Sequence, residues 1–356
     1  MKKINVFGLA FGFMGGFLGA GFVSGRELWQ FFGSFGGSGI IGAAIAVALL
    51  GVFGYMAQSL AHGTGTDKSE EIAVAFKGGT AKKIFSFFEI LFVFCIYVVM
   101  LAGAGSMFNE IFGASPIVTS IIFAALVSLV VAFGVNGIVH VFSVTVPLLV
   151  LFSLIISVLT FAKGGAQSIS LEAAPATNPL VSNPLISAFV FVSYNFFAAV
   201  SVITSLGKRT EKIKPLRGGL ALGMLFLFII SAAIILSMLM TRGSQNAEIP
   251  MLTVAKNLGS AYYYIFALLI AFGMFGASTV SEFAISRYFK VRFGSTKKVT
   301  VITVAATSAI AAAASQIGFS ELINTVYPAF GYLGMFALGM LTVNFIKFTK
   351  RSKKAK

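Results

Sequence analysis

The chain has 356 residues, of which 58% are hydrophobic and 10% charged, with a formal net charge of +15 and a mean hydropathy of +0.96. Soluble domains carry a charged fraction of about 25%, so an ordinary soluble enzyme or binding module is excluded. The positive charge is not a nucleic-acid signature either, because Lys and Arg gather in short loops and in the tail 347–356.

Apolar segments of ~20 residues or more predict an all-α polytopic membrane protein rather than a barrel of about ten-residue strands. Ten spans fit, at 5–33, 38–60, 83–108, 116–133, 138–161, 185–206, 218–240, 260–286, 299–315 and 321–346. Met1-Lys2-Lys3 leads into a long apolar run with no small-x-small cleavage site, so the run is expected to stay as the first span. With both termini placed in the cytoplasm of a cell-membrane protein, 22 Lys and Arg fall on the inner side and three in the outer loops. Positive residues mark the cytoplasmic face, and this bias sets the orientation and an even number of crossings. Cys95 stands alone in an apolar span, which leaves no intrachain disulfide.

The first span is too long for one perpendicular crossing: about thirty residues make a helix of ~45 Å against a hydrocarbon core of ~30 Å. It contains Gly19-Ala20-Gly21-Phe22-Val23-Ser24-Gly25-Arg26-Glu27. Two readings fit. The helix breaks there and its freed N–H and C=O groups face a ligand, since unwound backbone at membrane depth must meet protein, ligand or water. Alternatively Gly8, Gly12 and Gly16 only let two helices pack closely, with Arg26 and Glu27 at the outer interface.

Two loops are predicted to carry short helices. One opens with Asp67 and Glu70 as a capping pair and runs through Ile72 to Phe76; the other opens at Glu248-Ile249-Pro250, with Pro250 in its first turn. Glu71-Ile72 and Glu248-Ile249 lie 177 residues apart, and the same offset carries Lys83, where span three starts, to Ser260, where span eight starts. Each half therefore holds five spans with a short helix between its second and third. Five is odd, so the halves enter the membrane in opposite senses: a 5+5 inverted repeat of residues 1–162 and 185–346, joined by an external loop 163–184 and followed by the basic tail 347–356.

In such repeats the first helix of each half is discontinuous near the midplane. The counterpart of the opening stretch is Val190 to Ala198 in span six, which has no glycine; Ser193 and Asn195 can satisfy unwound backbone or simply make interhelical contacts. Span eight holds Gly273, Gly276, Ser278, Thr279, Ser281 and Glu282. A carboxylate inside an apolar span is a functional candidate, for proton transfer in particular, with pairing to Arg287 as the bland alternative. Ser278 and Thr279 can offer hydroxyl oxygens to a hard cation or bond back to their own helix.

At these residues the chain resembles the amino acid–polyamine–organocation superfamily, whose LeuT-type fold is the worked example of an inverted repeat. Gly19-Ala20-Gly21-Phe22 is similar to that superfamily's G-[A/S]-G-hydrophobic break in helix one, and the phrase from Gly19 to Glu27 also resembles the bacterial YkvI-type membrane proteins. The resemblance implies ten helices with the first and sixth broken. It implies that Gly19, Ala20, Gly21, Phe22 and Ser24 hold a small-molecule substrate, with Tyr194 and Asn195 opposite and Tyr97 as an aromatic gate. Sodium would bind carbonyls near Gly16 and Gly19 with Ser278 and Thr279, and Arg26 with Glu27 would join an outer gate. The activity expected is sodium-coupled transport of a small amino acid or similar zwitterion by alternating access. A proton-coupled carrier using Glu282 and a non-transporting ligand sensor remain open alternatives. No cofactor beyond the coupling ion is expected, no acid–base or nucleophile constellation suggests an enzyme, and the bilayer is the expected partner rather than nucleic acid.

Overall fold

Runs of Leu, Ile, Val, Phe and Ala become helices in this chain because hydrocarbon offers no partner to the backbone, and a helix satisfies its own N–H and C=O groups. The computed structural model describes residues 5–76, 78–133, 138–165, 169, 172, 178–210, 213–294 and 296–354. Its helices are α1 (Val6–Gly15), α2 (Ala20–Val23), α3 (Arg26–Phe31), α4 (Gly37–Thr64), α5 (Ser69–Ala73), α6 (Gly79–Phe112) and α7 (Pro116–Phe133) in the first half. The second half follows α8 (Ile138–Gly164) with α9 (Pro184–Lys208), α10 (Ile213–Leu239), α11 (Pro250–Leu258), α12 (Ser260–Phe293), α13 (Lys297–Ala314) and α14 (Phe319–Lys354). Eight of these, among the described residues, are long and apolar enough to cross a membrane, while α1 and α7 are shorter apolar helices. Expected spans two to ten each coincide with one helix, and the first is divided among α1, α2 and α3. Positions 1–4 and 134–137, part of the segment 163–183 and positions 355–356 lie outside the described residues.

Both short helices form where expected, as α5 and α11, and Pro250 opens α11 in its first turn. The capping pair proposed for α5 does not form. Lys68 occupies the cap position without a side-chain bond, and Asp67 is drawn away by the Lys208 ammonium at 2.9 Å.

The main correction concerns span six, expected to break like span one. Helix α9 is continuous over its 25 residues. Nothing there lowers the cost of leaving the helix, and its polar side chains bond backward within it: Ser193 Oγ donates to the Phe189 carbonyl at 2.7 Å and Asn195 Nδ2 to the Phe191 carbonyl at 2.9 Å.

Most helix contacts recur when the halves are exchanged, the broad contact of α9 with α14 being the exception. Helix α1 lies on α10 as α9 lies on α4, α6 lies on α7 as α12 lies on α13, and α8 lies on α12 as α14 lies on α6. Helix α9 is the most buried of the apolar helices, held between α4 and α14. The Ser187 hydroxyl also donates to the Phe31 carbonyl, which pins α9 beside the end of α3.

Candidate functional site

The interruption of the first span has a defined backbone. Phe17 and Leu18 N–H both donate to the Met14 carbonyl at 3.0 Å, which closes α1. Gly19 is extended (φ −110°, ψ 175°), and Val23 N–H and Ser24 N–H then bond Gly19 and Ala20 carbonyls to form the single turn of α2. Among the described residues, the N–H groups of Ala20, Gly21 and Phe22 donate to no backbone carbonyl, and the carbonyls of Gly15, Gly16 and Leu18 accept from no backbone N–H. Free donors at a helix start favour an anionic group and free carbonyls favour a cation.

A second change of direction follows at once. Gly25 adopts φ 84°, a left-handed conformation that a side chain would disfavour, and α3 departs from it. Ser24 steadies the turn: its hydroxyl donates to the Gly21 carbonyl at 2.6 Å and accepts from Arg26 N–H at 3.3 Å. As a result Glu27, one residue into α3, reaches back over the break. A Cβ added at Gly21 would collide with Glu27 Oε1. The other carboxylate oxygen, Oε2, accepts from the Tyr194 hydroxyl of α9 at 3.0 Å.

The break opens on a cavity of about 1240 Å³. One end is walled by Gly16, Gly19, Ala20, Gly21, Glu27 and Met100, with Tyr194 and Asn195 from α9 and Tyr327 from α14. The other end is charged, with Lys68, Glu70, Glu89, Arg287 and Arg292 on its walls. Glu89 ties three elements there, accepting from Ser69 of α5 at 2.8 Å and from Ser201 of α9 at 2.7 Å. At the opposite end of the bundle the chain is shut over the Gly25 turn. Met251 N–H of α11 donates to the Ser24 carbonyl at 2.9 Å, and Arg26 Nη1 donates to the Ala247 carbonyl at 3.4 Å with Glu248 and Glu321 as its acidic neighbours. Glu248 in turn accepts from Ser320 N–H, the second residue of α14, at 2.9 Å.

The structure thus brings Gly16, Gly19, Ala20, Gly21, Glu27, Tyr194 and Asn195 to one cavity and leaves the other candidates out of it. Phe22 is buried against Phe191, with ring centroids 6.4 Å apart. Ser24 shapes the turn, and Arg26 sits at the closed end. Tyr97 does not line the cavity as a gate; it is fully buried and shares a hydrogen bond with Ser308 Oγ of α13 at 2.9 Å. Thr279 bonds back to the Phe275 carbonyl at 2.8 Å, whereas Ser278 Oγ is buried with no partner. Glu282 does not pair with Arg287: it faces α13, where Thr307 donates to Oε1 at 2.6 Å, and its Oε2 is buried and unpartnered. Among the cavity residues missed in the sequence, two carried a signal. Tyr327 carried a signal as the residue before Pro328 in mid-span, and Glu89 as a carboxylate inside span three.

No protein-family model matches the chain. It is 29% identical to the Bacillus subtilis membrane protein YkvI over 334 residues, 94% of either chain. Among solved structures it superposes on MhsT in complex with L-phenylalanine with a TM-score of 0.64, at 16% identity, over 95% of this chain and 89% of that one. An inward-facing conformation of Mhp1, a transporter of the nucleobase-cation-symport-1 family, gives 0.63 at 14% identity over 94% and 77%. A substrate-bound, outward-open Na+-coupled sialic acid symporter gives 0.59 at 14% identity over 96% and 79%. The chain is therefore a YkvI-type homologue and a membrane protein with the LeuT-type transporter fold.

Proposed function

We propose that the protein is a secondary active transporter that moves a small amino acid or similar zwitterion across the cell membrane by alternating access, driven by sodium. The observation that carries this reading is the meeting of free N–H donors at Ala20 and Gly21 with a cavity whose far wall carries the exposed Lys68, Arg287 and Arg292 while the Gly25 turn is covered by α11. In the orientation that the Lys and Arg bias favours, both termini are cytoplasmic and the cavity opens inward. Ten crossings related as two five-helix units are supported by packing that for the most part recurs on exchange of the halves and by α5 and α11 at matched positions. MhsT binds L-phenylalanine in its solved complex, and the sialic acid symporter is coupled to Na+; both share the fold. The free carbonyls of Gly15 and Gly16, with α12 packed on α2 and the unpartnered Ser278 hydroxyl on α12, suit a sodium ion.

Uptake of radiolabelled amino acids into proteoliposomes, with sodium or potassium outside, tests this. Sodium-dependent accumulation is the expected result; binding without accumulation would replace the transporter by a sensor. One observation favours a second reading. The unpartnered buried oxygen of Glu282 suits a proton, so uptake that ignores sodium and is lost in Glu282→Gln would transfer the coupling to that residue.

A further inference from the structure

Glu27 is a buried carboxylate without a cation of its own. It is 7% exposed, and no Lys, Arg or His forms an ion pair with it among the described residues. The nearest basic residue in sequence, Arg26, points the other way, to Ala247. The basic groups on the cavity wall, Lys68, Arg287 and Arg292, belong to its far, exposed end. An uncompensated buried charge is costly, so such a group persists where a ligand or a proton supplies the missing charge.

The surroundings favour a ligand. Oε2 is fixed by Tyr194, while Oε1 lies over Gly21 on the cavity wall. Rings crowd the same place: Tyr194 and Tyr327 are 4.8 Å apart between centroids, and Phe92 lies 5.7 Å from Tyr327. A carboxylate beside aromatic rings on one cavity wall attracts an ammonium group by charge, and the rings can add cation–π contact. We propose that Glu27, positioned by Tyr194 and ringed by Tyr327 and Phe92, is the counter-ion for an amine on the transported solute. The cavity then selects ammonium-bearing molecules, with the free N–H groups of Ala20–Phe22 serving the solute's anionic end. The inference rests on the reading of this cavity as the solute site, and it adds the residue that sets specificity.

Three probes of one shape isolate the charge: benzylammonium, benzyl alcohol and benzoate, each followed by thermal shift and titration on the purified full-length chain. Benzylammonium is expected to stabilise the wild type more than either of the other two, benzyl alcohol having no charge and benzoate being repelled by Glu27. In Glu27→Gln the benzylammonium affinity falls about tenfold or more, the loss of a charge-assisted contact. Tyr194→Phe, which keeps the carboxylate and the ring, weakens it less. Should Glu27→Gln not purify in folded form, the order of the probes on the wild type and on Tyr194→Phe decides. Equal stabilisation by benzyl alcohol or benzoate, no effect of benzylammonium, or full affinity in Glu27→Gln would overturn the assignment, the last leaving Glu27 as a proton carrier. Failure of the transport reading looks different: ammonium-selective binding without accumulation sinks transport alone. Accumulation of a solute that lacks an amine sinks this assignment alone.

Discussion

The apolar stretch from Val6 to Phe31 and α9 wall one cavity and solve the same problem differently. Between Val6 and Phe31 the backbone leaves the helix twice, at 16–19 and at Gly25, and exposes donors and acceptors to the cavity. Over Pro184–Lys208 it never leaves, and α9 contributes side chains instead: the Tyr194 hydroxyl, the Asn195 amide and the Ser201 hydroxyl. One wall of the cavity is thus made of backbone and the other of side chains. The site is asymmetric, and the asymmetry follows from where glycine stands along each of the two stretches.

The sharpest way to break this comparison is at Gly21. Any Cβ there meets the Glu27 carboxylate, so Gly21→Leu should abolish ligand binding outright while costing about 1–3 kcal/mol in stability from overpacking. Size-exclusion profiles and ligand-induced thermal shifts measure the two effects separately. Next in size is Tyr194→Phe. Losing a hydrogen bond to a charged group costs about 1.5–3 kcal/mol, and here it frees Glu27 from α9, so the melting temperature should fall without loss of membrane insertion. Ala198→Gly gives α9 the residue type it lacks beside the cavity. It should cost about 1 kcal/mol, the usual price of glycine in a helix, and leave α9 unbroken by amide exchange, because Ser193 and Asn195 still bond within the helix.

The smallest effect concerns the far end of α9. The Lys208 ammonium holds the Asp67 carboxyl below its ordinary range, and the Thr204 hydroxyl donates to the Asp67 carbonyl at 3.0 Å. A carboxyl whose pKa is depressed by folding contributes stability that is fully present above its unfolded value of about 4 and is lost as pH falls through the folded value. Lys208→Met should therefore lower stability slightly at neutral pH, leave it unchanged in acid, and move the Asp67 titration upward, as followed by carboxyl chemical shifts. The pair is exposed, and added salt should reproduce part of the change.

Much of the architecture was legible because membrane depth makes hydropathy and charge informative: the helices fall on the expected spans, and α5 and α11 sit where short amphipathic segments stood between turn residues. The break near Gly19 was legible for the same reason, since a span too long to cross straight had its small residues together. The site was less so. Around Tyr97, from Ile90 to Leu101, α6 is apolar on all sides, so periodicity could not say that Tyr97 faces Ser308 rather than the cavity. Glu282 and Arg287 stand near one another in sequence, and only tertiary packing shows that Thr307 takes the carboxylate. Glu27 looked interfacial because it follows Arg26; its reach over Gly21 depends on the left-handed turn at Gly25, a backbone event that composition does not record.

Amide hydrogen exchange of the full-length chain in nanodiscs tests the central claim most directly. Ala20, Gly21 and Phe22 should exchange fast, residues 194–198 should be protected, and ligand should slow the first group without altering the second. Equal protection of both segments, or fast exchange across 194–198, would contradict an account in which one crossing offers its backbone and the other only its side chains.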